Sequence, residues 1–134
     1  MLNRLLRWHR YLAYHACLWQ KYMGSLVPEG AAVIQMAVSI FLDLMFVAMM
    51  VDELVGIEVP PLGFGPWGAV LTVAILMGVE FWCLMARGRF DKIKQEFQLS
   101  SESNIRRGRR IVLLFSFGSL LLVLLVPILF SLRS

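Results

Sequence analysis

Between Ala31 and Val51 the chain runs for about 20 residues as AAVIQMAVSIFLDLMFVAMMV, apolar throughout except for Gln35, Ser39 and one carboxylate, Asp43. At roughly 1.5 Å per helical residue such a run just crosses a hydrocarbon core of about 30 Å. Two further runs follow, at about 64–86 and 111–132. In hydrocarbon every backbone N–H and C=O must be satisfied within the segment, which leaves the helix as the form these runs can take. The expected fold class is therefore an all-α membrane protein. Three transmembrane helices are preceded by an amphipathic interfacial helix over residues 1–23.

Composition agrees. The chain of 134 residues is 59% hydrophobic and only 16% charged, with a mean hydropathy of +0.72. Soluble domains carry about 25% charge. There is room for one integral membrane domain and no separate soluble module.

The N-terminal segment sorts its residues by face. Leu2, Leu5, Leu12, Ala16, Trp19 and Met23 fall on one side of a helical wheel, and Arg4, Arg7, Arg10 and Lys21 on the other. Trp8, Tyr11, Tyr14, Trp19 and Tyr22 suit a headgroup layer. The segment lacks the clean apolar centre and small-residue cleavage site of a signal peptide, so it is expected to be retained. Gly24–Gly30 then breaks the helix around Pro28.

The connection at 52–66 holds Asp52, Glu53 and Glu58, no Lys or Arg, and the turn formers Pro60, Pro61, Gly63, Gly65 and Pro66. The second crossing is expected to continue as a helix to about residue 98, because Phe90, Ile93 and Phe97 recur at helical spacing. Ser103 or Asn104 is a candidate cap for the third helix. Pro127 lies in that helix's last third, where a membrane helix tolerates it.

Basic residues set the expected orientation. Four Lys or Arg lie in the N-terminal segment and eight between Arg87 and Arg110. By the positive-inside rule the N-terminus and the 87–110 loop are cytoplasmic, and the 52–66 loop and the C-terminus lie outside. A bacterial inner (plasma) membrane is the expected location. Arg4, Arg7, Arg10, Arg87, Arg89, Arg106, Arg107, Arg109 and Arg110 are candidate contacts to anionic lipid headgroups. Aromatic interleaving is sparse there, so nucleic acid is not an expected partner.

Candidate functional residues lie inside the spans. Gln35, Ser39 and Asp43, at i, i+4 and i+8, share one stripe of the first helix. The second helix offers Thr72 and Glu80, the third Ser116 and Ser119. A carboxylate at mid-membrane costs about 3 kcal/mol on insertion scales, so these stripes should face another helix or a wet cavity. Counting from the helix ends puts Gln35, Glu80 and Ser116 on one level, with Asp43 about 10 Å deeper than Glu80. They are either polar contacts holding helices together or an ion path.

His9 and His15 read as interfacial residues, and Cys17 and Cys83 as reduced, apolar-like side chains. No nucleophile–base pairing, phosphate loop or metal spacing is present, so neither an enzyme nor a cofactor or metal is expected. The sequence alone points to an accessory or interaction subunit of a larger membrane complex, or a homo-oligomer. A pore or proton/cation-conducting oligomer using the Gln35–Ser39–Asp43 stripe is the alternative.

Overall fold

The computed structural model describes residues 1–57, 65–99 and 101–132, and among these the regular structure is entirely helical. We label the helices α1 (Leu2–Tyr22), α2 (Pro28–Val55), α3 (Gly65–Leu84), α4 (Arg89–Phe97) and α5 (Glu102–Ser131). Helices α2, α3 and α5 are each long and apolar enough to cross a membrane. The stretch of the acidic loop holding Glu58, Pro60, Pro61 and Gly63 lies outside the described residues, as do Ser100 and Arg133.

The helix limits differ from the sequence expectation in three places. Helix α2 starts at Pro28, where the missing N–H costs nothing and Glu29 meets the positive end of the helix dipole. It runs past the Asp52-Glu53 pair to Val55 and stops at Gly56, whose φ of +70° needs no Cβ and whose N–H bonds Asp52 O. At 28 residues, or about 42 Å, it exceeds the hydrocarbon core, so its acidic end projects beyond the apolar run.

The second crossing does not continue to residue 98. Arg87 (φ +58°) and Gly88 (φ +68°) both sit in the left-handed region, and the chain turns there before α4 begins at Arg89. Apolar spacing at Phe90, Ile93 and Phe97 marks α4 itself, and an Arg-Gly step breaks the register ahead of it. Helix α5, in turn, starts at Glu102, slightly earlier than the expected caps. Ser101, not Ser103 or Asn104, is its cap: the Ser101 hydroxyl accepts from the Asn104 N–H at 3.4 Å. The helix continues through Pro127.

Contacts give the topology. Gln35 of α2 bonds Ser116 of α5, and farther along Phe46 and Met50 line a groove with Leu122, Leu125, Val126, Leu129 and Phe130. The two helices therefore run in the same direction and pack on each other, and α3 returns along α2, ending at the buried Leu84. The starts of α2 and α5 and the end of α3 thus share one end of the bundle, called here the basal end.

Helix α1 crosses that end. Its His9 meets Glu80, one turn from the end of α3; its His15 meets Gly108, two turns into α5; its Gln20 meets Gln35, two turns into α2. An amphipathic face alone does not describe it. Six consecutive residues, Leu12–Cys17, are buried, which requires neighbours all round. They form the core with Ala32, Val33, Met36, Leu84, Phe90, Ile93 and Val112. The first turns, with Leu2, Leu5, Leu6 and Trp8, stand exposed, as does Tyr22 at the other end.

Candidate functional site

The polar side chains of the spans gather mainly at the basal end. Glu80 is 5% exposed, and its two carboxylate oxygens lie 3.0 and 2.9 Å from Nε2 of His9. The imidazole and the carboxyl thus form one hydrogen-bonded pair across α1 and α3. The carboxylate that looked unpartnered in the sequence therefore has a partner on α1. The sequence missed it because His9 lies 71 positions away, on a helix expected to lie flat on the membrane.

A second cluster joins α1, α2 and α5. Gln20 Nε2 donates to Gln35 Oε1 at 2.9 Å, and Gln35 Nε2 donates to Ser116 Oγ at 2.8 Å. Ser39 Oγ donates to the same Ser116 oxygen at 3.3 Å. The structure brings Gln35 and Ser116 together but sends Glu80 to His9 instead. Gln20 is an unforeseen member. Thr72 and Ser119 bond backward along their own helices, to Gly68 O at 2.8 Å and Phe115 O at 2.7 Å.

His15 occupies the centre of the basal core and is 1% exposed. Neither ring nitrogen has a hydrogen-bond partner among the described residues. The Tyr11 and Tyr14 rings stand edge-on at 4.4 and 5.2 Å, and burial pushes its pKa below the ordinary value. The ring fills the space left by a missing side chain: a Cβ on Gly108 would fall 2.2 Å from Cε1 and Nδ1. The expectation that His15 faces the membrane surface is corrected accordingly. The visible clue was a glycine inside the Arg106–Arg110 run, where a helix otherwise loses about 1 kcal/mol relative to alanine.

Ion pairs stitch the rim. Lys94 of α4 pairs with Glu29 of α2, and this hydrogen bond holds the Lys94 pKa above its usual range. Glu96 takes Arg10 at 3.1 Å and Arg7 at 3.9 Å. Arg109 stacks over Tyr22 at 4.4 Å, Arg89 lies 6.0 Å from the Trp82 ring, and Arg106 pairs with Glu102 at 2.7 Å. Arg106, Arg107 and Arg110 line an open depression of about 470 Å³ with Ser103 and Glu102. Arg4 and Arg7 border an apolar one of about 540 Å³ with Leu5, Trp8 and Phe97. Arg87 is exposed at the left-handed turn.

Cys17 is buried and Cys83 exposed, and both are free thiols. Burial pushes the Cys17 thiol up, which makes it a poor nucleophile. Among the described residues no three His, Cys, Asp or Glu side chains converge as a metal site would need.

Asp43 stands apart. It lies about 22 Å along α2 from Pro28 and 18 Å from Val55, at mid-helix. It is half-buried, and no hydrogen bond or ion pair joins it to another described residue. The Gln35–Ser39–Asp43 stripe thus divides. Two members are bonded into the basal network, and the third is left over.

Comparison with protein families, with curated proteins and with solved structures yields no match for this chain.

Proposed function

We propose that this is an integral membrane protein that works by association, as an accessory subunit of a larger membrane assembly, and not by catalysis. The division of the polar stripe carries this reading. Gln35, Ser39, Ser116 and Glu80 bond within the chain, whereas Asp43 at mid-span is left for something outside it. Polar groups in a membrane helix are costly unless paired, so an unpaired carboxylate there marks a contact completed by another molecule. A pore lined by the same stripe finds less support, because Gln35 and Ser39 turn toward α5 and spend their hydrogen bonds there.

The proposed orientation has the basal end in the cytoplasm of a bacterial cell, with the 52–66 loop and the C-terminus outside. Every Lys and Arg except Arg133 lies in α1, α4, the turn before α4 or the start of α5. Gathering them at one end matches the positive-inside rule and makes a face for anionic headgroups, at about 1 kcal/mol per residue near the surface. A GFP fusion at Ser134 is expected to stay dark and a phosphatase fusion to be active.

Purification in mild detergent with mass measurement tests the association itself. The expected result is a particle heavier than one copy. A strict monomer at every detergent ratio, or dye release from liposomes by the pure chain, overturns the reading.

A further inference from the structure

The outer half of the molecule holds a groove of about 440 Å³ between α2 and α5, lined among others by Phe46, Met50, Leu125, Leu129 and Phe130. Phe46 and Met50 follow Asp43 at i+3 and i+7, so the carboxylate belongs to the same helix stripe, one turn nearer the basal end. An apolar channel along the membrane normal with a carboxylate below it has two requirements. Its walls need apolar atoms, and Asp43 needs a positive charge at mid-span.

A lipid tail meets the first requirement and not the second, since its headgroup charge stays at the surface. A second copy of this chain fails the second too. No Lys or Arg occurs in 28–57, 65–84 or 111–132, and the four arginines of α5 sit at the basal end. A symmetric contact would bring carboxylate toward carboxylate. We infer that the α2–α5 groove receives a transmembrane helix of a different protein, one carrying a Lys or Arg near its middle that pairs with Asp43. The inference rests on the association reading above and names the partner's chemistry. Intramembrane ionisable residues pair with one another or face water, and a long basic side chain reaches a neighbouring helix from an otherwise apolar span.

A photoreactive residue placed at Met50 of the full chain, in the native membrane, tests this. A second at Val70, on the exposed face of α3, serves as comparison. After irradiation the adducts are identified by mass spectrometry. The expected Met50 adduct is a peptide from the apolar span of another protein that contains a Lys or Arg. Asp43→Asn should lower its yield on the order of tenfold, the scale of the stronger interhelical polar contacts, and Asp43→Glu should keep most of it. Thermal unfolding of the purified Asp43→Asn chain should be unchanged, which separates lost pairing from lost folding. An adduct to this chain itself, to lipid alone, or to a span without a basic residue overturns the inference. Protein adducts at Val70 only would spare the association reading and remove this groove. A monomer with no protein adduct at either position removes both.

Discussion

The basal and outer halves of this bundle are made of the same three apolar helices, yet they treat their polar groups in opposite ways. At the basal end α1 lies across the helix ends, His15 is buried, and the His9–Glu80 pair and the Gln20–Gln35–Ser116–Ser39 chain are hydrogen-bonded within the protein. In the outer half Leu44, Val47, Leu121, Leu125 and Leu129 are exposed, and Asp43 has no partner among the described residues. The difference separates polar groups bonded within the chain from one that is not bonded to any described residue. A membrane helix needs no protein neighbour for its leucines, because lipid is as apolar as they are. It does need one for a carboxylate.

The contrast can be broken most forcefully at Gly108. Gly108→Val places a side chain inside the His15 ring, and the enclosing Tyr11 and Tyr14 leave little room to yield. Overpacking of this kind costs about 3 kcal/mol. The unfolding temperature in detergent should fall sharply and α1 should become protease-sensitive. The milder Gly108→Ala should be rescued in part by His15→Ala, a coupling that a double-mutant cycle measures.

Next comes pH. Burial lowers the folded-state pKa of His15 below its ordinary value of 6.5, so below 6.5 the unfolded chain takes up a proton that the folded one refuses. The stability from the neutral ring is complete above that value and is lost as pH falls from there toward the folded pKa. Unfolding temperature should drop over that range in the natural chain, and the drop should be smaller in His15→Phe. An equal pH slope in both would place the sensitivity elsewhere.

Smaller again is Ser116→Ala, which removes the shared acceptor of Gln35 and Ser39 and should cost about 1 kcal/mol by thermal unfolding. At the other extreme, Asp43→Leu should cost the isolated chain nothing in the same assay, since it has no internal partner to lose. If Asp43→Leu destabilised the purified monomer as much as Ser116→Ala does, the two halves would not differ as described.

Legibility in the sequence followed the same boundary. The three apolar runs could be read directly, because about 20 apolar residues in hydrocarbon leave the backbone one choice. The meeting of Gln35 with Ser116 could be anticipated from depth alone, since parallel upright helices place similar depths side by side. The break at Arg87-Gly88 could not. Arginine at positive φ is uncommon, and the apolar spacing of Phe90, Ile93 and Phe97 is the same whether α4 continues α3 or restarts after a turn.

The enclosed middle of α1 was also hidden. A wheel finds one apolar face, but Tyr14, His15 and Cys17 become core because α2, α4 and α5 surround them. The pairing of His9 with Glu80, which depth counting had placed beside Gln35 and Ser116, was hidden for the same reason: it depends on where a separate helix docks.

The sequence by itself determined that this protein has three stretches long and apolar enough to cross a membrane as helices, and a charge asymmetry that gathers nearly all its basic residues at one end of them. Both follow from local composition, since hydrocarbon tests each segment separately. Only the tertiary structure decided which polar residues are spent inside the chain and which is left over. That depends on the path of α1 across the basal end, and a helix's docking partners are set by contacts between residues far apart in sequence. Gln35, Ser39 and Asp43 form a single stripe on paper. In the folded chain the first two bond Ser116 of α5, and Asp43 bonds no described residue.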